Sequence, residues 1–314
     1  MTAFVAKRLL AAIPVLFGLS VIVFLMIALI PGDAATAILG SFATPENVAR
    51  LNADLGLDRS LPEQYGLWIS GVLKGDLGQS FTLNRPVLDE VGQRFGATLI
   101  LAGAALVLSS VIGLLAGIVS AARQFGWADR AITLAVLVGI SVPSFWLGLI
   151  LILAFAVAWP VFPPSGMVAI YGGGGPLDVA HHLVLPAVTL AVVASGVIAR
   201  LTRTAMLEVL RQDFVRTARA KGLSERRVLF GHAFRAALVS VIPVIGIQAG
   251  FVLGGAVYVE TVFQWPGIGA MLVEAIAKRD VLLVQGGVLV VAASYVLFNL
   301  AADLAQALLD PRLA

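Results

Sequence analysis

The residues best suited to chemistry in this chain are cations, and nine of its 21 Lys and Arg lie in one stretch, Arg200 to Arg235. They are Arg200, Arg203, Arg211, Arg216, Arg219, Lys221, Arg226, Arg227 and Arg235, and only Glu208, Asp213 and Glu225 oppose them. Inside runs Arg216-Thr217-Ala218-Arg219-Ala220-Lys221-Gly222-Leu223-Ser224-Glu225. A segment this basic beside membrane spans stays on the cytoplasmic side. It is too long and too patterned for a simple tether, and it predicts a helical element that another protein can hold. The residues alone leave a second reading equally open, in which the cations only fix orientation and bind anionic lipid.

No other constellation carries a reaction. Cysteine is absent, which removes disulfides, thiolate nucleophiles and Cys-based metal sites. His181 and His182 are adjacent and do not share a helix face, and the sequence supplies no further ligands for a metal. His232 reads as a helix residue. There is no Gly-x-Ser-x-Gly, no His-Glu-x-x-His and no nucleotide-binding loop; Gly172 to Gly175 lack a following Lys-Ser/Thr and read as a flexible loop. If transport is active, its energy comes from a gradient or from another chain. Glu260 and Asp303 are the ionisable residues inside apolar runs. Each is a functional candidate in lipid and each has a structural reading near an interface. No chain of Asp, Glu or His crosses the bilayer, which argues against a proton pump.

The elements that must position these residues are membrane helices. The chain has 314 residues, 60% hydrophobic and only 12% charged, too little polar surface for a soluble protein of this length. Apolar runs predict six spans: Leu9–Ile30, Ala97–Ala121, Ala131–Trp159, Leu183–Ala199, Leu238–Val262 and Val281–Leu309. The first run is longer than a signal-peptide core and is expected to be retained. Lys7, Arg8, Arg123, Arg130, the basic stretch and Arg312 then share one side, expected to be cytoplasmic, with both termini. Residues 31–96 fall on the other side. Thr44-Pro45-Glu46-Asn47 and Leu61-Pro62-Glu63-Gln64 read as two helix starts, with a turn at Leu55–Arg59 between them. A small, mostly helical cap with little core of its own is expected there. Pro14, Pro143, Pro186 and Pro243 lie in or beside spans as helix-shaping or hinge residues. Small residues at Ala102–Ala105, Gly113–Gly117 and Gly246–Gly255 suit close helix packing.

Several strings, taken in order on this topology, resemble the inner-membrane permease subunits of bacterial ABC importers of the dipeptide/oligopeptide/nickel group, specifically the first, B-type, of the two paired permeases. They are Pro31-Gly32-Asp33; Leu55-Gly56-Leu57-Asp58 with Gln64-Tyr65; Gly75-Asp76-Leu77-Gly78-Gln79-Ser80; Ser141-Val142-Pro143-Ser144-Phe145-Trp146; Arg216 to Gly222; and Glu260-Thr261-Val262-Phe263-Gln264-Trp265-Pro266-Gly267-Ile268-Gly269. The resemblance runs nearly end to end. It implies an all-α membrane protein with six transmembrane helices of the type I ABC importer permease kind and a small extracytoplasmic cap between the first two. The chain then divides into the N-terminus and first helix (1–30), the cap (31–96) and a five-helix core (97–314) containing a cytoplasmic coupling loop (200–237).

In that family the loop before the fifth span docks a short coupling helix into a groove on the ATPase. The family pattern is Glu-Ala-Ala, three residues, Gly, nine residues, Ile-x-Leu-Pro. Here Arg216, Thr217 and Ala218 stand at the first three positions, Gly222 is kept, and the later positions read His232, Phe234 and Arg235. The resemblance therefore assigns ATPase coupling to Arg216, Thr217, Ala218, Arg219, Lys221, Gly222, Leu223 and Ser224, with Leu223 as an apolar plug. It assigns the translocation path or gate to Pro143, Phe145, Trp146, Glu260, Phe263 and Trp265, and binding-protein docking to Trp68, Gly75, Asp76 and Gly78. The family's frequent Arg-Asp-Tyr-Pro reads Arg279-Asp280-Val281-Leu282 here, which leaves one outer-gate or docking contact open. The implied partners are a second homologous permease, one or two ATP-binding subunits and an extracytoplasmic substrate-binding protein. ATP and Mg would sit on the ATPases, with no catalytic residue, metal or cofactor in this chain. Peptides are the expected cargo; nickel, glutathione, an opine or a sugar oligomer are the alternatives. A secondary carrier is disfavoured by the lack of an internal repeat, and an intramembrane enzyme by the missing catalytic groups.

Overall fold

The computed structural model describes residues 2–28, 36, 39, 43–54, 56, 58–169, 171 and 174–309. The string Pro31-Gly32-Asp33, residues Leu55 and Leu57, Gly172, Gly173 and Arg312 lie outside them, as does the side chain of Asp303. In chain order the helices are α1 (Thr2–Ala28), α2 (Pro45–Asp54), α3 (Leu61–Leu73), α4 (Val87–Ala122), α5 (Trp127–Ser141), α6 (Ser144–Ile152, continued by a π-helical turn Leu153–Ala158) and α7 (Pro176–Leu210). Then follow α8 (Asp213–Ala220), α9 (Glu225–Phe263, with a π-helical turn at Val228–Ala233), α10 (Ile268–Ala277) and α11 (Val281–Leu309). A two-residue antiparallel ladder, β1 (Gln79–Ser80) with β2 (Arg85–Pro86), is the departure from an all-helical chain among the described residues.

Five helices are long and apolar enough to cross a membrane: α1, α4, α7, α9 and α11. The sixth predicted span, Ala131–Trp159, is not one rod. It is the pair α5 and α6, bent by 103° at Val142-Pro143, and counts as a sixth span only if the bent pair is taken together. The cause is local. Pro143 disfavours the helical conformation at the residue before it, and Val142 sits at φ −83°, ψ 126°. Pro143 then serves as the N-cap residue of α6. Pro186 and Pro243 instead lie inside continuous helices.

The chain forms two compact units, Thr98–Pro266 with the two chain ends, and Ala6–Ala97 with Gly267–Val296. The boundary expected at residue 96 does not fall at an element end, because α4 begins at Val87. In the first unit α4 packs on α7 through the small residues singled out above. A Cβ on Gly113 would come 2.7 Å from Ile198, and one on Gly117 would come 2.5 Å from Thr202 and 2.7 Å from the carbonyl of Ala199. These two glycines, four apart on one helix face, let the backbones approach to contact. The core beneath is built from Ile118, Ile198, Met206, Val215, Val228 and Val241 and their neighbours.

The second unit contains the predicted cap helices. Thr44 Oγ1 accepts the Asn47 amide (3.3 Å) ahead of α2, and the Ser60 amide donates to Glu63 Oε2 (3.1 Å) at the start of α3, both helix-start devices. The cap does not stand alone. Leu77, Val87 and Val91 share a core with Ile268, Met271, Ala275 and Leu283, and Phe17 and Phe24 of α1 pack edge-on against Tyr65.

Candidate functional site: a basic helix and turn between α7 and α9

The basic stretch does not form one helix. It comprises the end of α7, the eight-residue α8, a tight turn and the start of α9. Val215 and Ala218 of α8 are buried in the core of the first unit. That leaves Phe214, Arg216, Thr217, Arg219 and Ala220 on the exposed side. Helical spacing explains the split, since positions three apart share a face.

The turn is a Schellman motif. The Gly222 amide donates to Arg219 O (2.9 Å) and the Leu223 amide to Ala218 O (3.4 Å), the pair of bonds that closes a helix whose C′ residue is left-handed. Gly222 is that residue, at φ 79°. A Cβ there would meet no atom within 4 Å, so the demand for glycine comes from backbone conformation and not from crowding. Ser224 follows as the N-cap residue of α9.

Two side chains of this loop are engaged within the chain itself. Leu223 is not an outward plug: it is half-buried and packs on the core formed by Val215, Ala218 and Val228, as the residue after a Schellman glycine commonly does. The exposed large apolar side chain of α8 is Phe214, 42% accessible on its first turn, and Phe230 near the start of α9 is exposed as well. The aromatic character of Phe214 among Asp213, Arg216 and Thr217 was the signal in the sequence that a motif centred on Gly222 passed over. Nor is Arg219 a free cation. Its Nε donates to Glu225 Oε1 (2.7 Å) and its Nη2 to Oε2 (3.3 Å), a fork across the turn. Arg216 lies 3.6 Å from Asp213, both well exposed, a contact of little energetic weight. Lys221 stays at the surface as the C-cap residue.

A network absent from the sequence reading fixes the helix that leads into this loop. Arg203 of α7 donates from Nε to Asp129 Oδ1 and from Nη2 to Oδ2, each 2.8 Å. Ser120 of α4 also donates to Asp129 Oδ1, and the Phe125 amide donates to Oδ2 (2.9 Å). Asp129, at the start of α5, is buried. One carboxylate thus ties α4, α5 and α7 together just before the basic loop. The pairing of Asp129 with Arg203 spans 74 residues, a separation that no local pattern reveals.

The six path or gate candidates divide into two groups. Pro143 sits at the α5–α6 bend, and Phe145 and Trp146 on the first turn of α6 are half-exposed. Glu260, Phe263 and Trp265 are fully buried in the first unit. The Thr98 hydroxyl donates to Glu260 Oε1 (2.6 Å). Phe263 faces Gly148, where a Cβ would come 3.0 Å from its ring. The Trp265 amide donates to Glu260 O (2.9 Å), closing α9 with Gln264 left-handed at φ 49°. These three side chains shape the end of α9 and present no surface, because each is enclosed by its own chain.

In the second unit, Gly75 closes α3 at φ 82° with the Asp76 amide on Gly71 O (2.9 Å), and Asp76 Oδ1 accepts the Gly78 amide (2.8 Å). Gly75 and Asp76 are exposed. Gly78, at φ 81°, lies where a Cβ would come 3.0 Å from Leu282. Trp68 is half-buried between Phe24 and Tyr65, with ring centroids 6.1 and 6.0 Å away, so much of it serves the cap's own packing. Asp280 takes a structural part too. Buried, it accepts from Ser80 Oγ (2.5 Å), Thr82 Oγ1 (2.7 Å), the Thr82 amide (3.1 Å) and the Leu283 amide (3.2 Å). It anchors the short ladder to the start of α11.

Comparison with known proteins gives this geometry a family. The family described as the binding-protein-dependent transport system inner membrane component matches residues 113–314, and its N-terminal counterpart matches residues 1–102. The dipeptide transport system permease protein DppB of Alkalihalophilus pseudofirmus is 41% identical over 331 residues, covering 100% of this chain and 99% of the relative. The di/tripeptide permease DppB of Pseudomonas aeruginosa is 42% identical over 332 residues, and the dipeptide permease DppB of Escherichia coli 39% over 335, each with 100% of this chain and 99% of the relative covered. Among solved structures, a chain of the inward-facing MetNI methionine ABC transporter superposes with a TM-score of 0.58 at 17% identity, covering 70% of this chain and 95% of that one; at that identity the likeness concerns the fold. With both family matches together covering almost the whole sequence and full-length relatives near 40% identity, the chain belongs to the inner-membrane permease components of binding-protein-dependent ABC importers.

Proposed function

We propose that this chain is the first of two paired permeases of an importer for dipeptides or short oligopeptides, and that α8 with its closing turn is the element an ATPase subunit holds. The relatives named for dipeptide transport, aligned over their whole length, carry the cargo assignment. The coupling assignment is supported by an eight-residue helix with one face locked into the core and an aromatic ring and cations on the other. A groove on a partner can hold the exposed ring, and acidic rims can meet Arg216 and Lys221. ATP and Mg bind the partner, and this chain transmits motion. Arg219, tied to Glu225, braces the turn. By the distribution of cations, the α7–α9 loop and both termini lie in the cytoplasm and residues 31–96 outside. Pro143, Phe145 and Trp146 at the α5–α6 bend are the proposed path residues, and the exposed Gly75 and Asp76 the proposed contacts for the binding protein.

Purification of the tagged chain from its native membrane tests this reading. A second permease and an ATP-binding subunit are expected in stoichiometric amounts, and short peptides in the ligand released from the cognate binding protein. Recovery of the chain without any ATP-binding subunit would contradict the coupling role. Nickel or a sugar in place of peptides would contradict the cargo.

A further inference from the structure

The first unit holds a cavity of about 310 Å3 where α4 and α7 end, lined by Arg123, Gln124, Arg211, Arg219 and Glu225 with an apolar wall that includes Leu207, Leu210 and Leu229. Arg219 and Glu225 neutralise one another. The side chains of Arg123 and Arg211 have no acidic partner among the described residues, so the cavity retains two uncompensated positive charges. Beside it, the turn from α4 to α5 exposes two large rings, Phe125 at 75% and Trp127 at 78% accessibility. Phe125 is held outward at φ 65°. Exposed aromatic rings at the ends of membrane helices belong to the headgroup level of a bilayer. A half-basic, half-apolar cavity at that level matches an anionic phosphodiester with the root of an acyl chain.

We propose that this cavity binds the phosphodiester headgroup of an anionic phospholipid, with Arg123 and Arg211 on the phosphate oxygens and Leu207, Leu210 and Leu229 against the glycerol and first methylenes. The occupant shares Arg219 and Glu225 with the closing turn of α8, so lipid occupancy bears on the geometry of that turn. An acidic side chain of a protein partner would satisfy the two arginines but not the apolar wall, and the flanking rings favour lipid. The inference depends on the membrane placement of α4 and α7 and not on the cargo or on ATPase docking.

The test uses the complete purified transporter, delipidated and titrated with phosphatidylglycerol or phosphatidylcholine, with bound lipid counted by native mass spectrometry. The wild type should retain one tightly held phosphatidylglycerol that the double variant Arg123→Gln/Arg211→Gln loses, with apparent affinity down roughly tenfold or more. Arg123→Lys/Arg211→Lys should keep it, and Arg226→Gln, outside the cavity, should leave it unchanged. If the double variant does not assemble, Arg211→Gln alone should show the same loss in smaller measure. Equal phosphatidylglycerol retention in the wild type and the glutamine variants would overturn the proposal. So would displacement of the lipid by an equal concentration of inorganic phosphate, which would assign the cavity to a soluble anion. Loss of the ATPase with lipid retention unchanged would assign it to a protein contact and likewise overturn the proposal.

Discussion

Gly222→Val leaves the chain inserted and assembled but abolishes substrate uptake in reconstituted vesicles. Gly222 holds φ 79° with open space around its Cα. A left-handed backbone costs an ordinary residue about 1 kcal/mol or more, and a β-branched one more still. The chain relieves that cost by giving up the two closing bonds from Gly222 and Leu223 to Arg219 and Ala218. Leu223 then leaves its seat on Val215 and Val228, and α8 loses its fixed angle to α9. A coupling element that must carry a rigid-body motion fails when its angle is loose, even if it still touches its partner. Gly222→Asn separates conformation from bulk, because Asn tolerates the left-handed region. It should keep most of the uptake, whereas Gly222→Val should lose substrate-stimulated ATP hydrolysis with it. Equal uptake by Gly222→Val and wild type would show that the turn's conformation is immaterial.

Arg203→Ala lowers the stability of the chain by about 3 kcal/mol, because it strands the buried carboxylate of Asp129 without its fork of donors. Asp129→Ala is damaging for the converse reason. The double substitution Asp129→Ala/Arg203→Ala should be milder than the sum of the two, since it leaves no unpaired charge. Thermal unfolding in detergent, followed for all four proteins, reads the coupling directly. Strict additivity would mean that the two side chains act independently and that the carboxylate does not bind α4, α5 and α7 together.

The elements were legible where local chemistry decides them. Apolar runs located the long helices, and Thr44-Pro45-Glu46-Asn47 and Leu61-Pro62-Glu63-Gln64 marked the starts of α2 and α3. Gly222 was readable as a helix terminator because only its backbone matters there. Pro143 was readable as a helix-shaping or hinge residue, but the size of the α5–α6 bend was not, because the apolar character continues through the break and hydropathy does not register direction. What stayed out of view depended on distant partners. Leu223 packs on the core of Val215 and Val228, and Glu260 and Trp265 are buried within the chain, contacts that no local pattern displays. Asp129 with Arg203, and Asp280 with Ser80, are 74 and 200 residues apart. Such pairs obey no period that a sequence displays.

The chain has no cysteine, so single cysteines carrying a photoactivated cross-linker can be placed on α8 without background. Contact between α8 and the ATPase is read by placing them at Phe214, Thr217 and Lys221, and at the half-buried Leu223, in the assembled and ATP-hydrolysing transporter. Adducts with the ATP-binding subunit are expected from the first three positions, strongest at Phe214, and little or none from Leu223. An active transporter in which none of the three exposed positions yields an adduct with that subunit would contradict the assignment of α8 as the element the ATPase holds.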